Sequence, residues 1–260
     1  MGPAVILMTE GTGRGQRAAG SSPPAARCPL PAASVSNAFH PEHLLWLSPA
    51  FPVGAYAYSH GLEAAALRGL VKNRADLETW ITDLFACGSA RNDLIIVAVA
   101  HRAMTAGDHA ALADANALAI ALQPSSERHL ETTQQGNSFL TAIAASWPHP
   151  AIAAARETLR GDVAYPASLA IAAAAHAIPL HQTLPASGSA FAANLVSAAI
   201  RLSVIGQTDG QRVLAALSPI VARAATANET ATLDDLGGAT FSSDICSLEH
   251  ETQYTRLFRS

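Results

Sequence analysis

The chain has 260 residues, half of them hydrophobic, with 16 Lys and Arg against 20 Asp and Glu and a formal net charge of −4. That much apolar material supports a sizeable core, in one large domain or two small ones, and excludes disorder over most of the length. The acidic balance, with no basic stripe interleaved with aromatics, excludes a nucleic-acid surface and makes protein the expected partner.

Ala leads the apolar set, and because Ala loses no side-chain entropy in a helix, an all-α fold is expected. Residues 1–38 are rich in Gly, Pro, Ser and Ala (GSSPPAA) and lack an amphipathic period, so they read as a flexible leader. The GTGRG within them lacks the Lys-Ser/Thr ending of a phosphate loop and no strand precedes it, so it is assigned no chemistry. The apolar stretch of MGPAVILMTEG is too short for a secretory signal.

An all-helical domain is expected over 39–226. Its first helix, 39–47, is stopped by Ser48-Pro49, because Pro disfavours helical geometry in the residue before it and donates no backbone hydrogen bond. After the loop FPVG, AYAYSHGLEAAALRGL reads as one helix ended by Gly69. Asn73 is placed to cap the next, which runs through Cys87. Helices over 91–105, 108–122 and 125–145 follow, with breaks at Gly107 and Pro124, and Pro148 and Pro166 open two more. Over 188–205, Phe191, Leu195, Ala198, Leu202 and Ile205 form one apolar face, ended by Gly206. Thr208 stands three before Gln211, a capping-box spacing for a helix that buries Val213, Leu217, Ile220 and Val221. Residues 227–260 read as a polar, Gly-rich linker leading to a C-terminal partner-binding segment. Apolar runs such as LIIVAVA are far shorter than the roughly 20 residues that span a bilayer, so a membrane partner is not expected.

Enzyme signatures (GxSxG, HExxH, a Walker sequence, Cys/His zinc spacing) are missing from the sequence, and no catalytic residue is assigned. Cys28, Cys87 and Cys246 are odd in number and widely spaced, which predicts free thiols in a reducing compartment, the cytoplasm. His40 and His43 flank Pro41. His60 and Glu63, at i and i+3, would share a helix face; two ligands make an incomplete metal site, so a partner-facing role is expected and no metal site is assigned. Arg201 forms a polar stripe with Asn194 and Ser197, and Asp234 and Asp235 read as solvated charges. The ending QYTRLFRS is unusual in a chain with 5% aromatics: Tyr254 and Phe258, four apart, stand with Arg256 and Arg259, residue types that dominate interface energetics.

The stretches SPAFPVGAYAYSHGLE, NLVSAAIRLSVIGQTDGQRVL and DICSLEHETQYTRLFRS together resemble the UreF family of urease accessory proteins. The similarity runs from about His40 to Ser260, with GQTDGQ and HETQYTRLFRS the most specific parts. The resemblance implies an all-α, single-domain helical bundle of the cytoplasm without catalysis of its own. It implies binding of UreD (also called UreH), recruitment of the GTPase UreG, homodimerisation, and delivery of nickel to apo-urease. Nickel would be in transit, with no tightly bound cofactor. Carried over by motif, Tyr254, Arg256, Leu257, Phe258 and Arg259 would contact UreD, with His250 and Glu251 supporting the turn before them. Arg201, Gln207, Gln211, His60 and Glu63 would serve UreG or the nickel path. An alternative makes the protein a GTPase-activating regulator of UreG through Arg201 or Arg256. Many family members carry Arg-Glu-Thr-Arg on the middle helix; here the region reads QPSSERHLETT, and Glu127 and Arg128 replace that pattern only in part.

Overall fold

A computed structural model describes residues 40–260 and, ahead of them, Gly2. The predicted leader, with GTGRG and Cys28, lies outside the described residues apart from Gly2. Eleven α-helices run through the described part: α1 (Pro41–Trp46), α2 (Leu62–Leu67), α3 (Arg74–Cys87), α4 (Ser89–Ala106), α5 (His109–Ala121), α6 (Ser126–Ser146), α7 (Pro150–Leu159), α8 (Tyr165–Ala175), α9 (Leu180–Arg201), α10 (Gln207–Asn228) and α11 (Phe241–His250). Three of them start where a short polar side chain satisfies an orphan amide of the first turn. Asn73 accepts from the Asp76 N–H, Asp108 from Ala111 and Ser125 from Arg128, each cap being worth about 1 kcal/mol.

The helices with the most apolar sequence form the centre. In α4 the run Leu94–Ala98 is buried, and α8 is buried along 166–173, as expected of a helix that is hydrophobic on all sides. Helices α4 and α6 pack on α8, α9 packs on α10, and α11 lies on α2. Trp46 ties α1 to this core by edge contacts to Phe139 and Trp147 at 6.4 and 5.9 Å.

The entry to α8 is a short segment with no helix before it to satisfy its amides. Side chains of α5 and α6 do so instead: Asn137 Oδ1 accepts from Val163 N–H (3.1 Å), Asn116 Oδ1 from Ala164 N–H (2.9 Å) and Thr132 Oγ1 from Tyr165 N–H (3.2 Å). This works only because α6 presents Gly136 at the contact; a Cβ there would lie 1.9 Å from the Val163 carbonyl oxygen.

Several expected boundaries differ. Residues 55–70 are not one helix: a 3₁₀ turn (Ala55–Ala57) gives way to extended Tyr58, and His60 and Gly61 both take left-handed backbone (φ 56° and 76°) before α2. His60 and Glu63 therefore do not share a helix face. The reason is tertiary, since a distant segment takes up the Ala57 carbonyl and the Ser59 amide, as described below. Pro150 rather than Pro148 opens α7, with His149 Nδ1 accepting from Ala151 N–H. Helix α9 begins eight residues earlier than expected, with Pro185 inside it, and ends at Arg201 instead of Ile205. Ser203 takes the left-handed position (φ 60°) and Val204 N–H closes back on the Ala199 carbonyl, a Schellman-type stop that needs no Gly. Leu202 and Ile205 consequently leave the helical face, although Ile205 stays buried. Gly206 is the N-cap of α10, which puts Thr208 inside the first turn, and the expected Thr208–Gln211 capping box does not form. The expected buried side holds: Val213, Leu217 and Val221 are buried and Ile220 packs against the core. Helix α10 continues to Asn228. Cys87 and Cys246 are free thiols. No single helix among the described residues is long and apolar enough to cross a membrane.

Candidate docking site at the C-terminal segment

The last ten residues form no helix, so their backbone groups need partners elsewhere. They find them on the stretch before α2: Arg259 N–H donates to the Ala57 carbonyl (2.8 Å) and Ser59 N–H to the Ser260 main-chain oxygen (2.9 Å), which also accepts from the Ser59 hydroxyl. Helix formation through 57–59 would consume the same groups. Gly61 is required beneath this junction: a Cβ would stand 2.9 Å from the Ser247 amide nitrogen of α11.

Buried charges make two layers under the segment. In the outer layer Glu63 accepts from Leu257 N–H (2.7 Å) and Phe258 N–H (2.8 Å), and its Oε2 lies 3.1 Å from His250 Nε2. His250, fully buried, places Nδ1 2.6 Å from Glu127, whose other oxygen accepts from Arg256 at 2.5 Å. Both ring nitrogens thus face carboxylate oxygens. Glu251 fastens the turn by accepting from the Ser126 amide and hydroxyl, each at 2.7 Å.

The inner layer centres on Glu131, which is 2% exposed. It accepts from Arg128 (2.5 Å), His60 Nε2 (2.9 Å), Gln135 (3.1 Å) and the Ser260 hydroxyl (2.8 Å). Burial by itself would raise this carboxyl, but the Arg128 guanidinium and the His60 ring outweigh it and hold the group at about 2. Burial, with Arg128 beside it, pushes the His60 ring down, and its Nδ1 is buried without a hydrogen-bond partner.

Beside this layer is a cavity of about 170 Å³, whose walls include Tyr56, His60, Asp93, Glu131, Phe191 and Asn194. Asp93, partly exposed, is raised to about 7, first by desolvation, with Arg128 opposing and Glu131 assisting. A carboxyl raised in the folded state favours folding at low pH and loses that contribution as pH climbs from its ordinary value, 3.8, through about 7. Asp93→Asn is therefore expected to be more stable than the wild type by about 4 kcal/mol at pH 8 and to match it near pH 3.5. Urea unfolding across that range measures this, and a pH-independent difference would refute it.

The expected site residues do not all come together. His250, Glu251, Arg256, Phe258, His60 and Glu63 come together in the layers just described. Phe258 is buried with the Arg201 guanidinium 4.2 Å above its ring, and Arg201 also donates to the Tyr56 carbonyl. Tyr254 is fully exposed and Leu257 more than half exposed, so Tyr254 and Phe258 do not form one face. Arg259 reaches Gln134 (3.2 Å), which also accepts from the Tyr58 hydroxyl (2.6 Å). Gln207 and Gln211 are exposed on the first turns of α10 and, among the described residues, make no hydrogen bond to the cluster. His43, by contrast, is a core residue against Trp46, lowered to about 4 by burial and then by His40. No group of three or more His, Cys, Asp and Glu placed to hold a metal ion occurs among the described residues.

Sequence reasoning missed Ser59 and Glu131, and gave Glu127 and Arg128 no partner. A signal existed: in a chain with only 14% charged residues, Glu127, Arg128 and Glu131 crowd the first two turns of α6. Asp93 similarly stands directly beside the apolar run of α4 that begins at Leu94.

A family model named UreF matches residues 71–218. Among curated relatives, a protein of Xanthobacter autotrophicus named urease accessory protein UreF is 55% identical over 215 residues, covering 83% of this chain and 88% of the relative. Proteins of the same name from a Methylobacterium species and from Azorhizobium caulinodans are each 54% identical, over 84% and 83% of this chain and 87% and 93% of their own lengths.

Proposed function

The chain belongs to the UreF family of urease accessory proteins, and from that premise we propose that it is a non-catalytic scaffold for nickel loading of urease. It docks UreD (UreH) through its C-terminal segment, recruits the GTPase UreG, and works as a homodimer in a cytoplasmic complex with apo-urease. Nickel is the cargo of that complex and is not retained by this chain. The observation that carries the reading is the form of the segment: its backbone is fixed from beneath by Glu63 and by residues 57–59, while Tyr254 and Leu257 stand outward. A segment whose backbone is already fixed at 257–260 gives up less entropy on docking, and large aromatic or aliphatic anchors carry most interface energy.

Tyr254→Ala/Leu257→Ala removes the anchors without touching the layers below. It is expected to keep the wild-type helical content by circular dichroism and to lower the amount of co-purified UreD by about tenfold to a hundredfold. Undiminished UreD would refute docking through this segment. The alternative in which Arg201 or Arg256 acts on UreG-bound nucleotide is less well supported, because Arg201 is engaged with Phe258 and Tyr56 and Arg256 with Glu127. Either side chain would have to leave these partners to reach another protein.

A further inference from the structure

Three donors converge on one carboxylate: the consecutive amides of Leu257 and Phe258, and the His250 ring. They come from parts of the chain 187 to 195 residues away from Glu63, and Glu63 is buried at its place in the first turn of α2. We infer that Glu63 is the positioning residue of the docking segment: it fixes the backbone at 257–258 and the ring at 250, and so sets the direction in which Leu257 and the neighbouring Arg256 project. This assignment rests on the docking role proposed above. It separates Glu63 from the UreG side and the nickel path, where the sequence resemblance had put it.

The chemistry requires an acid here and not an amide. A carboxylate is acceptor-only and offers about four lone-pair sites, enough for all three donors. Gln is nearly the same shape, but half of its head is an NH₂ donor, which would face the Leu257 amide, the Phe258 amide or His250 and repel it. A charged acceptor also makes hydrogen bonds roughly twice as strong as a neutral one. Among the described residues no other side chain accepts from the Leu257 or Phe258 amide, so the loss is not made good locally.

The test uses the full chain carrying Glu63→Gln, read in two ways: amide hydrogen exchange residue by residue, and co-purification of UreD. Exchange at Leu257 and Phe258 is expected to accelerate by about tenfold or more while amides of α4 and α8 keep their wild-type rates, and recovered UreD is expected to fall by about tenfold. A general loss of stability would instead speed exchange in α4 and α8 as well. Wild-type exchange at 257–258 overturns the inference, whatever happens to UreD. Accelerated exchange with undiminished UreD keeps Glu63 as the anchor of the segment and sinks the docking role of the segment instead. If Glu63→Gln does not fold, Glu63→Asp carries the same test: it retains the charge one methylene further back and should give local exchange intermediate between wild type and an unanchored segment, with wild-type exchange again overturning the inference.

Discussion

Gly136→Ala is expected to lower stability by about 3 kcal/mol or more. The added methyl would sit 1.9 Å from the Val163 carbonyl oxygen and 2.8 Å from the carbonyl carbons of Val163 and Ala164. These are backbone atoms, so no rotamer change relieves the overlap. Either α6 and the entry to α8 move apart or the entry refolds. Both responses damage the same device, because Asn116, Thr132 and Asn137 satisfy the amides of Val163, Ala164 and Tyr165 only at the present separation. A buried amide that loses its acceptor costs about 1 to 3 kcal/mol in addition to the overpacking. For a domain of this size the change corresponds to a melting temperature lower by about 10 °C. Thermal unfolding followed by circular dichroism measures it, and a melting point within 2 °C or so of the wild type would show that the α6–α8 contact yields more easily than its geometry implies.

Arg128→Met is expected to cost about 3 to 5 kcal/mol at neutral pH, the penalty of leaving a buried carboxylate without its cation. Arg128 and Glu131 are 5% and 2% exposed and 2.5 Å apart. The remaining partners of Glu131 are His60, Gln135 and Ser260; burial, the larger cause of the lowered His60 pKa, persists when Arg128, the second cause, is removed. The pH dependence follows from the direction of the Glu131 shift. Its folded value of about 2 lies below the ordinary 4.5, so the stabilisation is complete above about pH 4.5 and disappears as pH falls toward 2. The gap between wild type and Arg128→Met should therefore be widest at pH 7 and narrow by pH 3. Arg128→Met/Glu131→Gln should recover most of the loss, since removing both charges also removes the desolvation penalty. Guanidinium unfolding of the three proteins at pH 7 and pH 3 decides the matter: an equal gap at both values would mean that Arg128 stabilises through packing alone.

The two variants perturb different parts of the molecule, one the closeness of helices and the other the charge beneath the C-terminal segment. Only the second is expected to reach UreD, because Glu131 also holds the Ser260 hydroxyl.

The all-α class, the cap at Asn73 and the helix starts at 108 and 125 could be read from the sequence, because helix starts and amphipathic faces are set by residues three or four apart. The character of the C-terminal residues was legible for a similar reason: Tyr, Phe and Arg are scarce in this chain and gather there. Where helix patterning misled, at 55–61 and at the end of α9, the deciding contacts were not local or not tied to a Gly. The Ala57 carbonyl and the Ser59 amide are taken by Arg259 and Ser260, and Ser203 adopts the left-handed backbone that stops α9 ahead of the Gly206 expected to end it. The site was legible in its separate residues and not in its arrangement. His250 meets Glu63 and Glu127 across 187 and 123 positions, and nothing in local spacing pairs an acid on α2 with a ring at the end of α11. What the sequence by itself determined was which segments are helical and which residue types are available. The tertiary structure decided which charges are buried together, because only packing brings distant carboxylates and donors out of water into one place, where each must find the other.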